Sequence, residues 1–142
     1  MSTYDALEVG SSASSPTRVI SAADLDEIVA VGGYTHPLFT DPAYATRSTF
    51  KARPVPGQGL MLLMGGLAEQ TQIFDDTTIG LIAFDTVRFL SPAFAGDAVR
   101  LDMEVIAKER DHAGRGVLVF AWLLHRDETL LVEAIARMLF AR

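Results

Sequence analysis

The stretch GQGLMLLMGGLAEQTQ, Gly57 to Gln72, restricts the fold more than any other part of the chain. Pro54 and Pro56 hold the preceding residues extended, and Gly57 permits a sharp turn. A helix is predicted from about Gln58 to Gln72. Its residues are apolar on nearly every side as far as Leu67, so burial is expected on nearly every side, with Glu69 and Gln70 marking where it emerges. A helix of that kind needs something wrapped around it.

The second half of the chain supplies the wrapper. GLIAFDTVRFLS reads as a strand with irregular alternation, whereas DAVRLDMEVIAKER alternates cleanly, Val99, Leu101, Met103 and Val105 against Arg100, Asp102 and Glu104. RGVLVFAWLLHR and TLLVEAIARMLFAR read as two more strands joined by the polar turn RDET. Their near-continuous apolar character implies cover on both faces. One face can lie on the helix and the other would need a partner, which predicts a homo-oligomer, most simply a two-fold homodimer. One buried helix and a run of antiparallel strands make an α+β fold, a sheet wrapped around a helix.

The first half is read from its helix signals. GSSASSPT, residues 10 to 17, is expected to be a flexible connector. In SAADLDEIVAVGG, Ser21 and Asp24 have capping-box spacing, Leu25, Ile28 and Val29 share one side, and Gly32–Gly33 end the helix. Asp41 before Pro42 signals another helix start. Between the two lies a loop holding Tyr34, His36 and Phe39.

Composition removes whole classes of function. The 142 residues fit one domain, 1–142. The absence of cysteine excludes disulfides, thiolate metal sites and thiol nucleophiles, and the three histidines are scattered, so neither metal nor cofactor is expected. A net charge of −6 argues against nucleic acid. No apolar run reaches the ~18 residues of a membrane helix, and the first residues do not read as a signal peptide, so a cytoplasmic protein is expected. Arg47, Lys51 and Arg53 form one basic cluster, a solvated helix end or a rim for a phosphate-bearing ligand.

Taken in order, these pieces resemble the hotdog fold and, within it, the MaoC-like acyl dehydratases and (R)-specific enoyl-CoA hydratases. LEVG at 7–10, ISAADLDEIVAVGG, HPLFTDPAYA, FKARPVPGQGL and VRFLSPAFAGDAVRLDMEV carry the likeness, which spans most of the chain. The resemblance implies a substrate that is an acyl thioester of coenzyme A or acyl carrier protein, hydrated or dehydrated by an aspartate and a histidine. Laid on this chain, that aspartate falls at Tyr34, the family asparagine at His36 and the histidine at Phe39. A phenyl ring moves no proton, so the loop does not carry the family's acid–base pair.

What the resemblance leaves is a binding site with candidate replacements. Gly57, and with it Gln58, is expected to hold the thioester oxygen at the start of the central helix, inside an enclosed pocket. Gln58 opening onto bulk solvent, or a pocket beside it filled by side chains, would undo the case for acyl-group handling. His36 is the candidate proton carrier, assisted by the Tyr34 phenol. His112 and His125 are expected to be solvated. Phe39 enlarges the apolar lining, and Arg53 is a candidate phosphate contact. An inactive hotdog subunit that binds the thioester or pairs with a catalytic partner in a hetero-oligomer is the rival reading. A thioesterase using Glu69 is a third.

Overall fold

The computed structural model describes residues 2–142. In chain order the elements are α1 (Thr3–Ala6), β1 (Ser12–Ser14), β2 (Arg18–Val19), α2 (Ala22–Gly32), α3 (Pro37–Thr40), α4 (Pro42–Thr46), α5 (Gly57–Gln70), β3 (Thr78–Phe89), β4 (Ala98–Arg110), β5 (Gly116–Arg126) and β6 (Thr129–Phe140). The sheet is antiparallel, in the order β1-β4-β5-β6-β3, with β2 also laid against β4. It curls around α5: this is the hotdog arrangement, an α+β fold. No helix among the described residues is long and apolar enough to cross a membrane.

The clean alternation of β4 puts Val99, Leu101, Met103 and Val105 inside, each at most 2% exposed. Across the register, Leu118, Phe120, Trp122 and Leu124 of β5 join them, with Ala134, Ala136, Met138 and Phe140 of β6. Against this row α5 lays Leu60, Leu63, Met64 and Leu67. Gly59 lets α2 approach closely, since a Cβ there would sit 2.7 Å from Ile28.

Burial of α5 is one-sided, not all round as its composition implied. Gln58, Leu62, Gly66 and Glu69 recur at helical spacing and are exposed, Leu62 by 62%. The sheet partly explains why. In β3 the register with β6 slips three times, at Ile79, Ile82 and Asp85, so the strand bulges repeatedly. Its inner row, Thr78, Leu81, Phe84, Val87 and Phe89, stays only partly covered, with Leu81 and Phe89 about half exposed. Open space is therefore left at two places on this flank, near Gly57 and near Gly66, while Phe84 and Val87 pack against the core.

Two further expectations change. Ile106, Ala121, Leu123 and Ile135 line a groove on the sheet's outer face, but part of that face over β5 and β6 is already covered. Val117, Val119 and Leu139 form a second buried cluster there with Ala107 and Ile135. Arg137, opposite Val119, is held between Asp85 and Glu109. Residues 10–17 are not a loose connector either. Ser12–Ser14 pair with Asp102–Glu104, and buried Ser15 accepts through Oγ from the Leu101 N–H. Small hydroxyl residues suit an edge strand that must lie close to its neighbour.

The capping box of α2 is formed as read. Ser21 Oγ accepts from Asp24 N–H at 2.9 Å and Asp24 accepts from Ser21 N–H at 2.9 Å. The Ser21 N–H and then Arg18 hold the Asp24 carboxyl below the usual range. Ser21→Ala should lower stability by ~1 kcal/mol, read as a lower urea midpoint with an unchanged slope.

Candidate active site

The loop after α2 is built by two caps and one clamp. His36 caps α3, its Nδ1 accepting from Leu38 N–H at 3.0 Å. Asp41 caps α4 by accepting from Ala43 N–H, with Pro42 in the first turn as the sequence signalled. The clamp is Arg53, which donates to Phe39 O at 3.1 Å and to Asp26 Oδ1 at 2.9 Å. Arg53 thus ties the loop to α2 and is not free for a phosphate. Arg47 and Lys51 stay exposed.

At the start of α5 the cap residue is Pro56, which offers no side-chain acceptor. The first N–H groups of the helix are therefore left without a cap. They lie at a cavity of about 470 Å³ whose lining includes Leu38, Phe39, Phe50, Gly57, Gln58 and Phe89. That volume is in the range of small-molecule sites. A Cβ on Gly57 would stand 3.0 Å from the Phe89 ring, so glycine keeps this wall in place.

Of the six residues singled out by sequence, Gly57, Gln58 and Phe39 line the cavity, and Tyr34 joins through a hydrogen bond. Its phenol donates to Gln58 Oε1 at 3.1 Å, and its ring meets Phe39 edge-on at 5.3 Å. This fixes the Gln58 amide: the oxygen is used, and the NH2 has no intramolecular acceptor among the described residues. Gln58 itself is exposed in the single chain and lies at the cavity's mouth, not in an enclosed chamber. His36 is exposed and outside the lining, its ring packed between Phe39 and Tyr44. With Nδ1 accepting, the proton of a neutral ring sits on Nε2. Arg53 holds Phe39 from behind.

The lining contains no acid or base; its polar side chains are Gln58 and Ser91. Phe50, Phe89 and Ser91 were not foreseen, because nothing in the sequence shows that the turn after α4 and the end of β3 meet at the helix start. Elsewhere His112 is exposed, as expected, but His125 is not. Its ring is mostly buried, with Nδ1 3.2 Å from Asp102 Oδ2. Arg100 first, then Ser14, keeps that carboxyl below its ordinary range. Among the described residues no group of three potential ligands could hold a metal.

Comparison with known proteins follows the fold. An (R)-specific enoyl-CoA hydratase from Aeromonas caviae is 34% identical over 105 residues, covering 74% of this chain and 75% of the relative. The chain belongs to the MaoC-like (R)-hydratase family. A solved (R)-hydratase from A. caviae superposes with a TM-score of 0.79 at 26% identity, over 94% of this chain and 96% of that one. A MaoC-like dehydratase from Rhodospirillum rubrum gives 0.84 at 17% identity, covering 97% and 95%, a likeness of fold. No family model matches the chain.

Because His36 is a cap in this structure, its loss should register first in stability. His36→Ala should destabilise by ~0.5–1 kcal/mol and His36→Asn should restore most of it, since asparagine caps well. Chemical denaturation of both variants checks this.

Proposed function

We propose that this protein is a hydro-lyase acting on an acyl thioester of coenzyme A or acyl carrier protein, adding water to the enoyl form or removing it from the 3-hydroxyacyl form. The observation that carries the proposal is the uncapped first turn of α5 opening on a mostly apolar cavity, in a chain of the (R)-hydratase family. When the oxygen of a water adds to C3 and its proton ends, in net, on C2, the electron pair of the C2=C3 bond is held in between as an enolate with its charge on the thioester oxygen. The N–H groups of the first turn and the helix dipole stabilise that charge. Such a donor is typically worth ~3–4 kcal/mol in the transition state. The amide NH2 of Gln58, oriented by Tyr34, is a second donor beside it.

Proton transfer to and from C2 falls to Tyr34, whose hydroxyl already meets Gln58 at the mouth. His36, with Nε2 left over from its cap, is the other proton-bearing group of this loop. Phe39 supports the acyl chain where the resemblance puts the family histidine. Arg53 positions Phe39, which leaves Arg47 and Lys51 for the carrier's phosphate. In this proposal Tyr34→Phe lowers turnover of a 2-enoyl thioester by ~10²-fold or more with the fold intact. Turnover equal to the parent's would remove Tyr34 from the chemistry.

A second reading has its own observation: no titratable side chain lines the cavity. An inactive subunit would bind the thioester, or pair with a catalytic hotdog partner, without converting anything itself. Assay of the purified protein alone on a panel of enoyl and 3-hydroxyacyl thioesters separates the two. Turnover with no partner present excludes the second, and binding without turnover on every substrate excludes the first. The thioesterase reading is weaker still. By helix rise Glu69 lies ~18 Å from Gly57, out of reach, within one chain, of a thioester held there.

Enclosure of the site requires another subunit in this proposal, and the surface fits a second copy. The free edge of β3 exposes Ile79 and Ile82, each by about half, and Leu62 of α5 and Val31 of α2 add to the apolar surface. A two-fold dimer joining these surfaces would cover the open space and bring Gln58 out of solvent. Leu62→Glu should therefore turn a dimer into a monomer in sedimentation experiments and weaken thioester binding with it. A parent protein that sediments as a monomer at micromolar concentration would refute this arrangement.

A further inference from the structure

The cavity at the start of α5 has no titratable side chain in its lining, yet the exposed stripe of the same helix carries one. Glu69 is exposed, and among the described residues its carboxylate has neither an ion-pair partner nor a hydrogen-bond donor. It borders a second cavity, near Gly65, Gly66 and the beginning of β3. Asp75, the other carboxylate there, is already engaged, accepting from the N–H groups of Thr3 and Thr77. Within one chain Glu69 and Gly57 stand at opposite ends of α5. A two-fold axis brings such ends together.

Helix and strand run antiparallel. At one end Gly57 faces Phe89, where a Cβ would stand 3.0 Å from the ring, and at the other Gly66 and Glu69 share a cavity with Thr78–Leu81. The middle of α5, near Met64, is therefore level with the middle of β3. Two copies can join their free β3 edges and keep both helices on one side of the joint sheet. They are then related by an axis normal to the sheet, which makes the paired strands, and the paired helices, antiparallel. Pairing is longest when that axis passes the middle of β3. The exposed stripes of the two helices then meet in reverse order.

Reversed in this way, the stripe Gln58, Leu62, Gly66 and Glu69 complements itself. Leu62, 62% exposed, meets the partner subunit's Gly66, a position where a Cβ would touch nothing within 4 Å. Gln58 meets Glu69 of the partner subunit. The first has an NH2 with no acceptor in its own chain, and the second a carboxylate with no donor in its own.

We infer that Glu69 of the partner subunit is the proton carrier of the site built by Gly57, Gln58 and Tyr34, so that each site of a dimer draws on both chains. This rests on the proposed hydro-lyase reading and its two-fold dimer. One hydrogen of the Gln58 NH2 holds the carboxylate, and the other is left for the thioester oxygen. As the water oxygen bonds to C3, its proton passes to the carboxylate. The carboxyl group is thus neutral when the enolate forms and does not repel it. Tyr34 gives its phenol proton to C2, and the carboxylic acid then returns a proton to the phenolate. One water is consumed, and both side chains end as they began.

Two variants, each inactive alone, test this together. Gly57→Val blocks the helix start, whereas Glu69→Gln keeps the side chain's shape and removes the base. Each should lower turnover of a 2-enoyl thioester by ~10²-fold or more. Glu69→Gln should still sediment as a dimer and, by calorimetric titration, bind the thioester about as tightly as the parent. Co-expressed and purified together, the two variants should regain roughly a quarter of the parent's turnover, because half of randomly assorted dimers are mixed and each holds one intact site. A site made within one chain regains nothing. Tyr34→Phe replaces Gly57→Val if valine prevents folding. Failure of the mixture to recover, or full turnover by Glu69→Gln alone, overturns the inference and leaves the hydro-lyase reading standing. A parent protein that converts no enoyl or 3-hydroxyacyl thioester overturns both.

Discussion

Leu60, Leu63, Met64 and Leu67 pin one side of α5 onto the inner row of β4, β5 and β6, and the rest of the structure depends on how far that packing reaches. It is only partial along β3, where Phe84 and Val87 stay half-buried. Three bulges bend that strand; Phe84 and Val87 still pack against the core, and open space is left near the two ends of the helix. The helix is thus held firmly by one flank while its other flank and its amino end remain free to meet a ligand. A sheet closed tightly on both sides would have made a better core and left no site.

The same division explains the loop. His36 and Asp41 spend their side chains on caps, and Arg53 binds the backbone of Phe39, so the loop's polar groups serve its shape. What the loop shows the cavity is a ring, Phe39, and through Gln58 a phenol, Tyr34. These surfaces suit the apolar acyl group of the proposed substrate. Within one chain, any chemistry rests on few groups: the helix start, the Gln58 amide and one phenol.

Much of this was legible in the sequence because it is written in local patterns. The capping box at Ser21, the Asp41–Pro42 start and the alternation of β4 each depend on neighbours a few residues apart. The hotdog likeness came from motifs of the same kind. What stayed hidden depends on register and curvature. Uniform apolarity in α5 says that most sides avoid water, not which one the fold leaves uncovered. GSSASSPT looks like a linker until β4 is there to pair with Ser12–Ser14. Nor does any pattern show that Arg137 will lie opposite Val119, so that part of the outer face of β5 and β6 is covered within the chain.

The central claim is that the first turn of α5 receives the thioester oxygen. Backbone amide NMR tests it most directly, by titrating the ¹⁵N-labelled protein with a non-hydrolysable ketone analogue of an acyl-CoA, in which a methylene replaces the sulfur and the carbonyl oxygen is kept. The account predicts that the largest shifts fall on the amides of Gly57, Gln58 and Gly59, moving downfield as they gain an acceptor. Saturable binding that leaves those three amides unmoved, with shifts elsewhere, would contradict it.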